Sequence, residues 1–247
     1  MKRLMIIPAA GQGSRLGKAG PKILVEVAGR PMIEYLLDLY RPYVSHFVVV
    51  VNPAFAEAVA EHCSAPGPPV ELALQTKPTG MLDAILTPIE RVRDFAPERI
   101  WITWCDQIAI RPETVSRLAY EEQEDPEAGV VLPTIIRTDP YIHLLRDVKG
   151  QIEAVFHRRE GDEMPPVGEA DLGLFGLGLS TYLEDLNRFA RESGESIGTG
   201  ERNFLPFLSW LRGRTHVRTF TGTDEIESVG INTPQDLEQV EEYLRRG

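Results

Sequence analysis

Leu4-Met5-Ile6-Ile7-Pro8-Ala9-Ala10-Gly11-Gln12-Gly13-Ser14-Arg15-Leu16 is the stretch that decides the fold. The apolar run from Leu4 to Ile7 meets Pro8 and then a glycine-rich segment. That is the pattern of a buried strand emptying into a loop. Small residues let a backbone approach a ligand closely, and successive N–H groups can cradle phosphate oxygens. A plain strand-to-helix turn fits the same residues. Two standard phosphate loops do not. A dinucleotide fingerprint needs a third glycine where Leu16 stands, and a P-loop needs glycine at Gln12 and Ser or Thr at Ala19.

Outward from this loop, strands alternate with helices. Apolar spacing predicts a helix over 31–39, with Pro31 in its first turn. β-branched and apolar runs predict strands over 47–51, 70–74 and 100–104, and helices over 80–92 and 112–124. Such alternation implies an α/β fold: a mostly parallel, doubly wound, Rossmann-like sheet with helices on both faces. The second half is richer in strands, over 129–136, 142–146, 152–156 and 172–179, with short ones at 217–220 and 228–231. Helices are expected over 182–192 and 204–211, and Thr233 caps a last helix starting at Pro234. The polar segment 158–169, with its prolines and glycines, reads as a mobile loop. Residues 1–247 read as one domain. Its nucleotide-binding half covers about 1–125, its β-rich acceptor-binding half about 126–231, and a C-terminal helix over 232–247 returns to the core.

Composition narrows the class. The chain has 247 residues, 43% hydrophobic and 26% charged, which suits a globular domain with a substantial core. A formal charge of −11 argues against a nucleic-acid coat, which would show a basic face. Cys63 and Cys105 form no CxxC pair, so a disulfide framework or zinc site is not expected. The apolar run near the N-terminus is too short for a signal peptide or membrane span, and the expected location is the cytoplasm. The expected partners are small molecules, with no nucleic acid and no membrane.

Several residues past strand ends carry chemistry. Arg15 follows the glycines, and Gly20-Pro21-Lys22 comes next. Two cations beside a phosphate cradle could neutralise a triphosphate and a departing pyrophosphate; each alone could equally be a surface charge. Gln75 ends a strand, and its amide offers one donor and one acceptor edge to a pyrimidine. Gly80 would let the following helix pack against the base, although a polar loop with a helix-starting glycine explains the pair as well. The strand 100–104 leads to Asp106. Ligands of open α/β sheets bind beyond the carboxyl ends of strands, and magnesium takes oxygen donors and substrate phosphates. Asp106 is therefore a candidate Mg²⁺ ligand, with a solvated loop carboxylate as the alternative.

The segments Ala9–Leu16, Pro21-Lys22-Ile23-Leu24 and 27–38 together resemble the signature of the sugar-1-phosphate nucleotidyltransferases. That family shares its fold with N-acetylglucosamine-1-phosphate uridylyltransferase, glucose-1-phosphate thymidylyltransferase and the isoprenoid cytidylyltransferases. The resemblance runs from about Leu4 to Leu244. It implies the nucleotide-diphospho-sugar transferase fold, with loop backbone at Pro8, Ala9, Ala10, Gly11 and Gly13 on the nucleotide phosphates. It also implies that Arg15 and Lys22 bind the triphosphate and that Gln75 and Gly80, with Met81 beside them, contact the base. The family's second metal ligand is an Asp or Asn in a G-[IV]-[ND]-T-P-x-D-L setting, which the segment from Gly230 to Leu237 matches. Asn232 is thus implied as partner to Asp106 on Mg²⁺; its alternative role is a turn or capping residue.

Departures from the pattern bear on the substrate. Cys105 stands where uridylyltransferases have glycine and joins the nucleotide-binding set as a small buried residue, not a nucleophile. Gly80-Met81-Leu82-Asp83-Ala84 is more similar to the thymidylyltransferases, which favours UTP or dTTP and leaves CTP open. On the acceptor side, Ile142 and Phe156 replace a glycine and a glutamate that hold N-acetylglucosamine 1-phosphate, and Asp171 keeps polar character. His143, His157 and Asp171 are the candidate acceptor contacts, with surface histidines as the plain reading of the first two. Arg158-Arg159 could steer a phosphate or be a solvated pair. The expected reaction joins a pyrimidine nucleoside triphosphate to a phosphorylated sugar, releasing pyrophosphate. The rivals are a cytidylyltransferase acting on a polyol or amino-alcohol phosphate, and a non-catalytic nucleotide-binding relative. A molybdopterin cytidylyltransferase would share the loop, but the segment from Arg15 to Lys22 and the Gly230-Ile231-Asn232-Thr233-Pro234 ending favour the sugar group. Asp106-Gln107-Ile108 lacks the Asp-x-Asp of a glycosyltransferase.

Overall fold

A computed structural model describes residues 1–11, 16, 20–77, 79–196 and 198–246. Strand β1, Arg3–Pro8, is buried along its whole length. A single 3-10 turn at Lys22–Leu24 precedes a two-residue hairpin, β2 (Glu26–Val27) and β3 (Arg30–Pro31). Helix α1 spans Met32–Tyr40, and β4 follows at His46–Val51. Helix α2 is Ala56–Glu61, and β5 is Val70–Leu74.

The helix expected over 80–92 is two helices, α3 (Met81–Leu86) and α4 (Ile89–Phe95). Pro88 separates them because it has no N–H to donate to the preceding turn. Strand β6 is Arg99–Thr103, and α5 is Pro112–Glu124. Strands β7 (Val130–Thr138), β8 (Ile142–Arg146) and β9 (Ile152–His157) come next.

The single strand expected over 172–179 is the second part of a longer, bent one. Its parts are β10 (Val167–Asp171) and β11 (Leu174–Gly178). Both run antiparallel to β7, but the register moves from Asp171↔Thr134 to Gly176↔Val131, a slip of two residues across the bend. Helix α6, Asn187–Glu192, is entered through a wide π-type turn over Thr181–Leu186. Helix α7 is Pro206–Trp210, and β12 is Val217–Thr221. The strand expected over 228–231 is absent; Glu225–Ser228 is instead a 3-10 turn closed by an Asp224–Glu227 capping box. Helix α8 is Pro234–Arg246.

The main sheet has the order β10-β7-β11-β6-β1-β4-β5, with β12 paired to β7. The core quartet β6-β1-β4-β5 is parallel throughout. Period-two alternation divides β1 between two cores. Met5 and Ile7 pack with Phe47, Trp101, α1, α5 and α8 on one face. Leu4 and Ile6 pack with Val48, Ile100, α3, α4 and the 182–211 segment on the other. The observed fold is therefore the expected mixed α/β one, a mostly parallel central sheet covered on both sides.

A buried ionic knot ties the lower ends of the strands. Glu122, fully buried on α5, accepts from Arg3 Nε at 2.9 Å, Arg99 Nε at 3.0 Å and Trp101 Nε1 at 2.9 Å. Arg3 begins β1 and Arg99 begins β6.

Candidate active site

The parallel strands all point their carboxyl ends at one edge. There the chain after β1 leans on β4, with Ala9 N–H donating to the Val50 carbonyl at 2.7 Å. Gln75 N–H donates to the Val51 carbonyl at 2.9 Å, so the ends of β4 and β5 share that edge. Strand β1 lies between β4 and β6, and successive connections leave it in opposite directions. This is a topological switch point, where the loops splay and leave a crevice. Pro8, Ala9 and Ala10 are buried there and Gly11 is exposed. Gly13 and Arg15 lie outside the described residues.

Three sequence-predicted residues meet in the crevice. Lys22 Nζ donates to Asp106 Oδ2 and, at 2.8 Å, to Asn232 Oδ1. The pair is largely sheltered, with side-chain exposures of 12% for Lys22 and 13% for Asp106. Each member sits on a fixed support. Lys22 opens the 3-10 turn whose carbonyl accepts from Val25 N–H at 3.0 Å. Asp106 rides a tight turn after β6, in which Gln107 N–H donates to the Trp104 carbonyl at 3.2 Å. The turn is tied on both sides, Trp104 N–H to the Gly173 carbonyl at 3.1 Å and Ile231 N–H to the Asp106 carbonyl at 3.2 Å. Asn232 donates Nδ2 to the Gly230 carbonyl at 3.1 Å, which turns Oδ1 toward Lys22.

Two residues that the sequence reading held only as positions of the matched motif support the pair. Asp236 accepts from Asn232 N–H at 2.9 Å and Thr233 N–H at 2.7 Å, while Thr233 Oγ1 accepts from Asp236 N–H at 3.2 Å. This is a capping box at the start of α8, and the Thr-x-x-Asp spacing was its available signal. Gly230 is the other. A Cβ there would stand 3.3 Å from both the Asp106 carboxyl and the Asn232 amide, a tight contact that would make one of them give by a few tenths of an ångström. The donor set is one carboxylate oxygen and one amide oxygen converging on a single cationic atom. That set fits a magnesium ion, which accepts a few protein oxygens and completes its shell with substrate phosphates and water.

On the other side of the crevice, Gln75 is 8% exposed, and its Nε2 donates to the Gly80 carbonyl at 3.4 Å. Gly80 has φ +122° and ψ 176°, and a Cβ would fall 2.4 Å from Arg202 N. The glycine therefore admits the backbone of 202, which bonds to it on both flanks. Arg202 N–H donates to the Thr79 carbonyl at 2.9 Å, and Leu82 N–H donates to the Arg202 carbonyl at 3.0 Å. Met81 begins α3 and packs on the second core. Burial, and next the Asp106 charge, push the Cys105 thiol up to about 12, so it stays a neutral thiol.

The acceptor candidates are more scattered. Asp171 is 6% exposed; Oδ1 accepts from Gly173 N–H at 2.8 Å, while Oδ2 has no hydrogen-bond partner among the described residues. Through Gly173 it abuts the turn that carries Asp106. Burial raises its carboxyl to about 6. Gln107 beside Asp106 is also buried, with Oε1 unpartnered among the described residues. The histidines lie on opposite faces of the β8–β9 ribbon. His143 pairs with Phe156 and stacks on its ring, while His157 pairs with Ile142 and meets Tyr141 edge-on. His143 Nδ1 faces the Glu169 carbonyl at 3.2 Å, and burial lowers the His157 pKa. No described hydrogen bond or ring contact joins either histidine to Asp171.

The segment 158–169, expected to be mobile, is pinned. Arg158 pairs with Asp139, and Arg159 grips Glu201 with two bonds of 3.0 and 2.7 Å. Glu160 accepts from Thr199 Oγ1 at 2.8 Å and Asn203 Nδ2 at 2.7 Å. Its last three residues belong to β10. The prolines and glycines that suggested mobility shape the turn instead, and the two arginines are engaged by carboxylates.

Among the described residues no helix is long and apolar enough to cross a membrane. The family described as the MobA-like NTP transferase domain matches residues 5–165. The "Bifunctional protein GlmU" of Kineococcus radiotolerans is 29% identical over 236 residues, covering 94% of this chain and 47% of that protein. The protein of the same name from Thermus thermophilus is 29% identical over 245 residues, covering 98% and 51%. That from Solibacter usitatus is 26% identical over 247 residues, again covering 98% and 51%. The chain thus spans about half the length of the curated relatives it matches. The solved structure of a CMP:2-keto-3-deoxy-manno-octonic acid synthetase complexed with CTP aligns with a TM-score of 0.71 at 18% identity, covering 100% of this chain and 99% of that one. A likeness at that identity speaks to the fold.

Proposed function

The chain belongs to the family of MobA-like NTP transferase domains, and on that premise we propose that it joins a pyrimidine nucleoside triphosphate, UTP or dTTP first, to a sugar 1-phosphate with release of pyrophosphate. The observation that carries this reading is the convergence of Lys22, Asp106 and Asn232 at the strand-end crevice. An oxygen of the acceptor phosphate attacks the α-phosphorus. A new P–O bond forms as the bond to the β-phosphate bridging oxygen breaks, and the electron pair leaves with pyrophosphate. The acceptor phosphate is already ionised near neutral pH, so no side chain need remove a proton. Catalysis is then positioning plus charge stabilisation.

In this scheme 1–125 is the nucleotide half and 126–231 the acceptor half. Backbone from Pro8 to Gly11, with Gly13, holds the phosphates, and Arg15 and Lys22 offset the charge shifting onto the leaving group. Gln75 presents its amide to the base beside Gly80 and Met81. Asp106 and Asn232 hold a divalent ion, magnesium by their oxygen chemistry, which when bound supplies charge neutralisation at the triphosphate. Asp171 reaches the acceptor, and one of His143 and His157, which face opposite sides of the β8–β9 ribbon, adds a second polar contact. Ile142 and Phe156 stand on opposite faces of the β8–β9 ribbon, so one of them lines the acceptor pocket. Either exchange, a side chain added where the resembling family has glycine or the loss of a glutamate that pairs a hydroxyl, makes N-acetylglucosamine 1-phosphate a poor acceptor.

The test is a grid of UTP, dTTP, CTP, ATP and GTP against sugar 1-phosphates and polyol phosphates, read as pyrophosphate release. Turnover with UTP or dTTP and a sugar 1-phosphate supports the reading. Turnover confined to CTP with a polyol phosphate would replace it with the cytidylyltransferase alternative, and turnover confined to purines would overturn the assignment of Gln75. Binding without turnover across the grid would leave a non-catalytic nucleotide-binding protein.

A further inference from the structure

We propose that Lys22 is a built-in competitor of the divalent ion: ammonium and metal claim the same two oxygens, and the ion binds as Lys22 leaves them for the triphosphate. The proposal rests on the reading of Asp106 and Asn232 as the metal pair. Its basis is that Lys22 Nζ bonds both Asp106 Oδ2 and Asn232 Oδ1 at once. Asn232 has only that oxygen to offer, so an ion held by it and by the Asp106 carboxylate would lie against the ammonium. Asn232 cannot serve both cations by turning its amide, because Nδ2 is committed to the Gly230 carbonyl.

Electrostatics sets the exchange. The Lys22 and Asp106 side chains are nearly nine-tenths shielded from solvent, so salt screens the pair little. Asp106 left alone there would be a poorly solvated charge, and Lys22 removes that cost. A dication and an ammonium cannot share one carboxylate oxygen without repulsion. A triphosphate brings several negative charges and offers Lys22 a new partner. The lysine suits such a transfer because a flexible four-carbon stem carries a compact charge. Its backbone need not move, since the 3-10 turn at Lys22–Leu24 anchors it.

The consequence is coupling. An ion meeting the protein alone must first displace Lys22, and its apparent affinity falls by the fraction of time the oxygens are free. Nucleotide that draws Lys22 away tightens the ion, and by reciprocity the ion frees Lys22 and tightens the nucleotide. The site thereby favours taking the two together over filling with either alone.

The experiment is a Mn²⁺ titration of the nucleotide-free protein, following the free-ion signal by electron paramagnetic resonance. Lys22→Met, which keeps the stem and loses the charge, should bind Mn²⁺ at least about tenfold tighter than wild type. Asp106→Asn added to Lys22→Met should abolish the gain. Equal or weaker binding in Lys22→Met, with Asp106→Asn still weakening both backgrounds, would sink the competition and leave the metal pair standing. Indifference of both backgrounds to Asp106→Asn would sink the metal pair and the proposal with it. A second measurement needs no variant: Mg²⁺ should speed acetylation of Lys22 by acetic anhydride, read by mass spectrometry. An unchanged or slower rate would contradict displacement.

Discussion

Asp171→Asn tests whether the carboxyl beside the Asp106 turn is as buried as the structure shows. The wild-type carboxyl titrates at about 6 instead of 3.8 because burial disfavours its charge, an effect only partly offset by the Gly173 N–H. The folded protein therefore holds this proton through a pH range in which the unfolded chain has lost it. The stabilisation is full below the unfolded value and is lost as pH rises through about 6. At ~1.4 kcal/mol per tenfold of proton affinity, the loss is ~3 kcal/mol. In a chain of this size each kcal/mol moves Tm by roughly 2–4 °C. The Asn side chain does not titrate. Its amide leaves a donor where Oδ2 has no partner, which costs a constant amount at every pH and drops out of the comparison. About two-thirds of that loss, ~2 kcal/mol, falls between pH 4.5 and pH 8, because the unfolded carboxyl is already losing its proton at the lower value; thermal melts there should show the variant gaining on wild type by roughly 4–8 °C. On the proposed acceptor role, wild-type KM for the acceptor should also rise below about pH 6, with no such rise in the variant. Melting differences that are the same at both pH values would refute the burial reasoning.

Asp106→Ala should lower turnover by roughly 10³-fold or more with an unchanged circular dichroism spectrum, since it removes a preorganised charge from the site; near-normal pyrophosphate release would dismiss the role. Glu122→Ala leaves the guanidiniums of Arg3 and Arg99 buried without their carboxylate and should cost ~3–5 kcal/mol in urea unfolding. A loss below about 1 kcal/mol would mean the knot is well solvated. Gly80→Ala forces a Cβ onto the 202 backbone at a φ of +122° and should cost more than ~1–3 kcal/mol of backbone strain alone. It should also weaken pyrimidine nucleotide binding, and wild-type-like calorimetric affinity would separate Gly80 from the base.

Legibility followed periodicity. Strands β1, β4 and β6 were plain because fully buried parallel strands are short apolar runs, and α5 was plain because Pro112 opens a clear amphipathic stretch. One misread element shows tertiary pairing overriding local pattern. Strand β10 carries Gly168 and Glu169 at positions that read as loop, and only its ladder with β7 makes it a strand. The helix over 80–92 read as continuous because Pro88 was outweighed by the apolar spacing around it. In the site, the sequence named Lys22, Asp106 and Asn232, and the fold brings them together across 84 and 210 positions of chain. That Lys22 would bond the other two directly was not legible, since it depends on how three separate turns are set. The histidines were singled out by their place in the acceptor half that the resemblance implies, and the alternation of β8 and β9 sends them to opposite faces.

The Glu122 knot sits at the beginnings of β1 and β6, while the crevice opens past their ends, about 16 Å away along a five-residue strand. For laboratory evolution this is a practical separation. Libraries that randomise Gln75, Met81, Ile142 or Phe156 draw on an anchor none of those positions touches, so variants with altered donor or acceptor choice should be recovered as folded protein at high frequency. Mutations that fall on Arg3, Arg99 or Glu122 should instead vanish from any selection, whatever substrate is used, and their depletion would serve as an internal standard for how stringently the screen demands folding.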